Sequence, residues 1–245
     1  MIEAVILAAG RGSRLQELTA DRPKPMVKVG GTTLVQRAVR SLYRAGVGPV
    51  KLVVGYRAEA LRFLGLPFID NPEWAETGIF WSLSHAAPTL SAAPAIVCYG
   101  DIFFEAADVA RLVEEPGDIV VGYDPAALAL WSQRFADPFV DLENFAVDAA
   151  GRCTRIGGRL ERGERLDGQF TGLFKLTPRG WADLCRTADA LPLAKRRVVD
   201  MTSLLALAIV DGIALRAMPL QGKWGEVDEP SDITLYERLY FQASG

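Results

Sequence analysis

Residues 2–14 read IEAVILAAGRGSR, and this stretch decides the fold. Residues 2–8 form a nearly continuous apolar run, which is typical of a parallel β-strand buried on both faces. The glycines that follow, Gly10 and Gly12, let the backbone turn sharply and let its N–H groups approach an anion without a side-chain clash. The stretch therefore predicts a central strand that leads into an anion-binding loop.

Downstream of this loop, segments typical of strands and helices alternate. The expected strands are 51–56, 66–72, 94–101 and 118–123. The expected helices are Thr32 (as N-cap) to about Ala45, 58–64, 77–87 and 106–114. This alternation predicts an α/β fold with a single doubly wound, mostly parallel mixed sheet. Such sheets bind ligands beyond the carboxyl ends of their strands.

The alternation of strand and helix segments changes from residue 125 onwards. We expect a hairpin with its turn near Ala150–Gly151, strands at 170–177 and 213–219, and helices after Pro178, over 199–210 and over 230–241. No stretch is long enough to act as a linker between independent domains. We therefore interpret 125–180 as a small β-rich insertion over the mouth of the sheet. The final residues, ERLYFQASG, also look somewhat like the remnant of a protease tag and carry no functional argument.

Composition and charge narrow the function. The chain has 245 residues, half of them hydrophobic, and a net charge of −3. That length can bury one large core, and the charge predicts no binding to nucleic acid. No apolar run reaches the ~20 residues needed to span a bilayer, so we expect no membrane partner. Three scattered cysteines predict neither a disulfide framework nor a zinc site, which makes a reducing cytoplasm the default location.

The glycine loop does not match the common dinucleotide or P-loop patterns. Leu15 stands where a Rossmann fingerprint needs its third glycine, and the sequence GxxxxGK[ST] is absent. The wider pattern is more specific: LAAGRGSRL at 7–15 is followed by PKPMV at 23–27. This pattern closely resembles the signature of bacterial sugar-phosphate and choline-phosphate nucleotidyltransferases. The resemblance is strong over the first ~55 residues and is confined to scattered landmarks beyond them.

The resemblance implies a single Rossmann-like nucleotidyltransferase domain and assigns roles to residues around the loop. It implies that the loop binds the NTP phosphates and that Arg14 and Lys24 contact phosphate groups at the reacting centre. Whether Arg11 binds phosphate or is an ordinary surface residue stays open. The implied nucleotide-binding residues here are Leu7, Ala8, Ala9, Gly10, Arg11, Gly12, Ser13 and Arg14.

Two aspartates are candidate magnesium ligands. Asp101 ends the expected strand at 94–101, and Asp228 precedes the last helix in the segment WGEVDEPSD. Mg²⁺ prefers one or two carboxylates together with phosphate oxygens and waters. In the family, acids at these two positions hold the metal, so we expect Mg²⁺ on Asp101 and Asp228. Glu226 is a further candidate ligand, and Asp232 is expected to stabilise the N-terminus of the last helix.

The segment NPEWAETGIFWSL at 71–83 resembles the base-binding region of related enzymes. Thr77, Gly78 and Ser82 are its candidate contacts to the base, and the looser resemblance to choline-phosphate and phosphonate cytidylyltransferases favours CTP. An alternative is that Thr77 only caps a helix.

The acceptor is less well defined. Aromatic faces could attract an ammonium group, although aromatics in an insertion more commonly pack it together. The candidate aromatics are Trp81, Tyr123, Trp131, Phe135, Phe170 and Trp224. Acids that could instead pair with an ammonium are Asp124, Asp137, Asp141 and Glu143. The sequence does not choose between these groups.

Together these features predict one domain over 1–245, with a nucleotide-binding half at 1–124 and an acceptor-binding half at 125–245. The expected enzyme is a Mg²⁺-dependent nucleotidyltransferase that joins CTP to a small phosphate or phosphonate, like phosphocholine or aminoethylphosphonate, and releases pyrophosphate. One alternative is a sugar-1-phosphate nucleotidyltransferase that uses UTP, GTP or dTTP. Another is a catalytically silent nucleotide-binding module. A homodimer is compatible with the sequence, which does not fix the oligomeric state.

Overall fold

The computed structural model describes residues 2–241, so residues 242–245, the end of ERLYFQASG, lie outside the described part. The strands are β1 (Glu3–Ala8), β2 (Lys28–Val29), β3 (Thr32–Thr33), β4 (Val50–Val54), β5 (Phe68–Asp70), β6 (Ala95–Tyr99), β7 (Ile102–Phe103), β8 (Ile119–Asp124), β9 (Glu143–Val147), β10 (Arg152–Arg159), β11 (Gln169–Leu176), β12 (Leu215–Pro219) and β13 (Gly225–Glu226). The α-helices are α1 (Leu34–Arg44), α2 (Ile79–Ser84), α3 (Ala87–Ala92), α4 (Ala106–Glu114), α5 (Ala127–Arg134), α6 (Pro178–Asp189), α7 (Leu193–Arg196), α8 (Met201–Val210) and α9 (Pro230–Tyr236).

Nine of these strands form one sheet, in the order β5-β4-β1-β6-β11-β8-β12-β10-β9. The pairings give seven strands one direction and give β10 and β11 the other. The mostly parallel mixed sheet is thus confirmed. Strand β1 pairs in parallel with both β4 and β6, and Leu7 lies beside Tyr99. The loops after β1 and β6 therefore begin at the same edge of the sheet.

The core has one layer on each face of the sheet, as a doubly wound fold requires. Alternate residues of β1 enter different layers: Ile6 belongs to one hydrophobic cluster and Val5 to the other. Helices α1 and α4 supply residues to the first cluster, and α6 and α8 supply residues to the second. Because both faces are covered, β1 is apolar along nearly its whole length, and this is the run that the sequence displays.

The β-rich stretch is placed differently from our expectation. The hairpin is present as β9 and β10, but it extends the edge of the main sheet. Strand β11 lies inside the sheet, between β6 and β8 and antiparallel to both. Every residue of β11 is buried, because it is covered on both faces like its neighbours. The interpretation of 125–180 as a separate insertion is therefore wrong for this strand.

Some helix boundaries also differ. Helix α1 is capped by Thr33, one residue after the expected Thr32, through a capping box with Gln36. The helix expected over 77–87 begins at Ile79 and ends at Ser84, and α3 follows as a separate helix. The last helix changes to a π-helix over Glu237–Phe241.

Candidate active site

The glycine loop follows β1 and packs against Lys24. Gly12 has φ +72°, a left-handed conformation that favours glycine, and a Cβ placed there would lie 2.8 Å from side-chain carbons of Lys24. The segment after the loop, Ser13–Thr19, is a 3₁₀ helix interrupted at Gln16. No regular helix N-terminus therefore follows the loop directly. Leu15 is fully buried, which explains why the third glycine of a dinucleotide fingerprint is absent.

Replacing Gly12 by alanine should disturb Lys24 as well as the backbone. We expect Gly12→Ala to lose about 1–2 kcal/mol of stability from its left-handed backbone. We also expect turnover to fall by about 10²-fold, which is what a ~1 Å misplacement of a catalytic group can cost. Gly31→Ala is the matched control, since Gly31 has φ +73° and, chain neighbours aside, no atom of residues 2–241 lies within 4 Å of its added Cβ. Melting temperature and pyrophosphate release would be measured for both, and equal turnover in the two variants would exclude an effect through Lys24.

A short pair of strands gathers the acids. Strand β13 pairs antiparallel with β7, and the N–H of Val227 donates to the carbonyl of Asp101 at 3.0 Å. This pairing brings Glu226 and Asp228 beside Asp101. One carboxylate oxygen from each of the three lies within 4.8 Å of the others. The two aspartates singled out in the sequence thus share one site, and Glu226 joins them.

Lys24 and Arg14 meet this acidic cluster. Lys24 Nζ lies 2.7 Å from Asp101 Oδ2 and 2.5 Å from Asp228 Oδ1, and Arg14 donates to the same Asp228 oxygen at 2.8 Å. Burial alone would lower the pKa of Lys24, but the charges of Asp101, Asp228 and Glu226 outweigh it and raise the pKa above its ordinary value. Lys24 is therefore fully charged at neutral pH.

At Glu226, burial and the neighbouring negative charges shift the pKa in the same direction. Burial raises the pKa of Glu226, and the neighbouring charges of Asp228 and Asp101 raise it further. Asp101 Oδ1 is also buried and has no hydrogen-bond partner among the described residues. Three carboxylates, with one orphan oxygen and one disfavoured charge, offer the hard oxygen ligands that a divalent cation prefers. The residues present therefore fit Mg²⁺.

Arg134 and Asp232 position the Asp228 loop, and the sequence did not reveal the role of Arg134. The Arg134 side chain is fully buried at the end of α5 and makes two hydrogen bonds to Asp232, at 2.9 and 3.1 Å. Asp232 Oδ2 in turn accepts from the N–H groups of Asp228 (2.8 Å) and Glu229 (3.0 Å). The capping box of α9 includes Asp232, as expected of an acid at a helix N-terminus.

A small cavity of about 150 Å³ joins the glycine loop to the segment proposed to bind the base. It is lined by Leu7, Ala9, Gly10, Trp74, Thr77, Gly78, Ile79 and Ser82. Thr77 does not cap α2, because the N-cap of α2 is Gly78 and no side chain makes a capping hydrogen bond there. The hydroxyl of Thr77 instead donates to the carbonyl of Glu73 at 2.8 Å. Buried Asn71, which the sequence did not single out, donates to both Thr77 and Ser82 and fixes their hydroxyls.

The remaining residues predicted to bind the nucleotide lie partly at a cavity and partly on the surface. Leu7, Ala8 and Gly10 also line a cavity of about 110 Å³ that reaches Lys24 and Asp101. Arg11 is exposed, and its guanidinium lies 5.6 Å from the centre of the Tyr56 ring. The nucleotide-binding roles of these residues stay predictions.

A larger cavity of about 470 Å³ opens beside Arg14. Glu226 and Asp228 line it at the acidic cluster, and residues of α5, β6, β9, β11, the start of α2 and the start of α8 line most of the remainder. The cluster thus lies between a small cavity beside the glycine loop and a roomier one. This is the arrangement expected when one substrate is activated on one side of a metal and a second approaches from the other.

A mostly parallel sheet with a glycine loop, two basic side chains and three acids at one edge defines a nucleotidyltransferase. Residues 4–144 match the MobA-like NTP transferase domain, and the chain belongs to this family. It is 27% identical to the CTP:phosphoglutamine cytidylyltransferase of Campylobacter jejuni over an alignment that covers 95% of this chain and 98% of that protein. It is 32% identical to the 2-aminoethylphosphonate cytidylyltransferase of Lancefieldella rimae over 159 residues, covering 63% of this chain and 60% of that one.

The fold has a close counterpart among solved structures. The inositol-1-phosphate CTP transferase from T. maritima superposes with a TM-score of 0.77 at 24% identity, covering 100% of this chain and 97% of that one. The predicted fold and enzyme class are therefore confirmed. Among residues 2–241, no helix is both long and apolar enough to cross a membrane.

Proposed function

We propose that this protein transfers CMP from CTP to the phosphate or phosphonate of a small acceptor, with Mg²⁺, and releases pyrophosphate. The observation that carries the proposal is the juxtaposition of Lys24 and Arg14 with the cluster of Asp101, Glu226 and Asp228 between two cavities. The names of the two relatives, both cytidylyltransferases, support CTP as the donor.

The transfer would need no side chain as a general base. The acceptor oxygen is already anionic near neutral pH; it would attack the α-phosphorus of CTP as the bond to the β-phosphate oxygen breaks, and pyrophosphate would leave with the electron pair. Catalysis then depends on positioning and on neutralising charge. The N–H groups of the Gly10–Ser13 loop and Arg14 would hold the departing phosphates. Lys24 would bridge the acceptor and the α-phosphate.

Asp101 and Asp228 would hold Mg²⁺, with Glu226 as the third carboxylate of the cluster. When bound, the ion would supply positive charge that offsets the charge of the phosphates. Thr77 and Ser82, whose hydroxyls accept from Asn71, would contact the cytosine edge together with Gly78 in the cavity beside the glycine loop.

The test is a panel of the nucleotides CTP, UTP, GTP and dTTP against phosphocholine, 2-aminoethylphosphonate, inositol 1-phosphate and hexose 1-phosphates, read as pyrophosphate release. We expect CTP to exceed the other nucleotides by at least about 10²-fold in kcat/KM, because a base edge that meets buried polar groups is discriminated strongly. Pyrophosphate release with UTP, GTP or dTTP and a hexose 1-phosphate, but not with CTP, would replace the proposal by a sugar-1-phosphate nucleotidyltransferase. Nucleotide binding with no release from any pair would identify a silent binding module.

A further inference from the structure

The larger cavity has two chemically different ends. At one end lie Arg14, Asp228 and Glu226 of the candidate active site. At the other, the acidic end, Asp141, Glu143 and Asp200 line the wall. Two of the four acids suggested by the sequence are therefore in the cavity. The others are not: Asp137 pairs with Arg162 at 2.8 Å, and Asp124 accepts from the N–H of Ala126.

The acidic end has no positive charge of its own. Among residues 2–241, no lysine or arginine makes an ion pair with any of its three carboxylates, whereas Arg14 is already bound to Asp228. Within residues 2–241, the Glu143 carboxylate accepts only one hydrogen bond, from the hydroxyl of Thr202 at 3.4 Å. Burial, together with the charges of Asp200 and Asp141, raises the pKa of Glu143 to about 7. A cation at this end would relieve that repulsion.

Gln169 provides a second and independent sign of a ligand. Its side chain lines the same cavity and the residue is only 8% exposed. Its Oε1 accepts from the N–H of Glu143 at 3.1 Å, but its Nε2 donates to none of the described residues. No residue among 2–241 uses these donors, which leaves the amide group open to solvent or to a ligand in the cavity. A ligand oxygen in the cavity would satisfy it.

Aromatic side chains complete the wall. Trp131, Tyr99 and Phe170 line the cavity, and the Trp131 indole donates to Asp141 at 3.0 Å, which fixes that carboxylate. Aromatic faces attract organic cations, but they also stack on sugar rings, and carboxylates accept hydrogen bonds from hydroxyls. The unpaired negative charge favours an organic cation over a sugar, because a polyol brings hydroxyls but no positive charge to balance the carboxylates.

We propose that the acidic end selects acceptors that carry a positively charged nitrogen a few bonds from the phosphate or phosphonate, with Glu143 and Asp200 as the specificity-determining residues. The inference rests on the proposed function, because the phosphate or phosphonate must sit at the candidate active site for the nitrogen to reach Glu143. It narrows the acceptor to small aminoalkyl phosphates and phosphonates and excludes neutral polyol phosphates.

The test compares two acceptors of nearly equal size, 2-aminoethylphosphonate and 2-hydroxyethylphosphonate, in pyrophosphate release with CTP and Mg²⁺. We expect the amine to exceed the alcohol in kcat/KM by about tenfold or more, as one charge-assisted hydrogen bond can provide. Glu143→Gln should reduce this ratio by about tenfold. Asp200→Asn should reduce it less, because Asp200 is exposed, and asparagine still caps α8. Asp137→Asn, outside the cavity, is the matched control and should keep the wild-type ratio.

The outcomes separate this inference from the proposed function. Pyrophosphate release with equal use of the amine and the alcohol, or with better use of inositol 1-phosphate or a hexose 1-phosphate, would overturn the selection of amines and leave nucleotidyl transfer intact. An unchanged ratio in folded Glu143→Gln and Asp200→Asn proteins would overturn the assignment to these residues. If no acceptor supports release, the proposed function fails, and calorimetric binding of the two phosphonates to wild type and Glu143→Gln decides the inference. Binding of the amine alone, weakened in the variant, supports it; equal or absent binding overturns it.

Discussion

Asp101→Asn should reduce pyrophosphate release by about 10³-fold or more, because it removes a carboxylate that no other described group can replace. Asp101 Oδ1 is buried without a partner among residues 2–241, and Oδ2 accepts from Lys24 at 2.7 Å. Asparagine keeps the shape of the side chain but not the charge that a divalent cation needs. The backbone carbonyl of Asp101 still accepts from Val227, so β7 and β13 should stay paired.

Asp70→Asn is the matched control. Asp70 also ends a strand, β5, on the side of the sheet where the parallel strands have their carboxyl ends. However, Asp70 is exposed, and β5 is an outermost strand of the sheet. We expect this control to keep turnover within about twofold, as surface substitutions usually do. Both variants should melt within about 4 °C of the wild type, which corresponds to ~1 kcal/mol in a chain of this size. Normal Mg²⁺-dependent release by Asp101→Asn would mean that the ion is not held at this cluster.

The fold was largely predictable because most of its elements are local in sequence. The apolar run of β1 and the exact bounds of α4 follow from patterns within about ten residues. The partner of a strand is set by contacts between distant residues, and these leave no local trace. Strand β11 has the same apolar character as its parallel neighbours, so neither its central position nor its reversed direction could be inferred.

The candidate site likewise combines residues that local motifs identify with residues that only tertiary packing places there. Gly12, Lys24 and Asp101 lie in recognisable motifs, so a resemblance could name them. Asp200 was missed because it lies within the helix expected over 199–210; in the structure it caps α8 by accepting from the N–H of Ser203 at 2.6 Å. Its position in the larger cavity depends on how α8 packs against β10, and that packing is tertiary information.

The cluster itself, by contrast, depends on one non-local pairing. Strands β7 and β13 are separated by more than a hundred residues, and their two-residue ladder brings Glu226 to Asp101. The sequence could propose two acids for one ion, but it could not show that Glu226 shares the site.

Lys24→Met should bind Mn²⁺ at least about tenfold more tightly than the wild type when no nucleotide is present, although its turnover falls by about 10²–10³-fold. The Lys24 ammonium lies 2.7 Å from Asp101 and 2.5 Å from Asp228, so it fills the position between the two acids where a divalent cation would bind. A cation can enter only when this ammonium moves away, and methionine removes the competing charge while keeping a side chain of similar length. Metal binding would be measured by calorimetry or from the electron paramagnetic resonance signal of free Mn²⁺.

Lys28→Met is the control for this competition, since Lys28 is an exposed lysine in β2 that makes no contact with the acids. It should bind Mn²⁺ as the wild type does. An affinity in Lys24→Met no higher than in the control would show that Lys24 does not oppose the ion. If the affinity rises as expected, metal entry releases the Lys24 ammonium from the two aspartates and frees it to contact phosphate. Metal binding and the release of Lys24 would then be coupled, because the same pair of carboxylates can fully neutralise only the divalent ion or the Lys24 ammonium, not both.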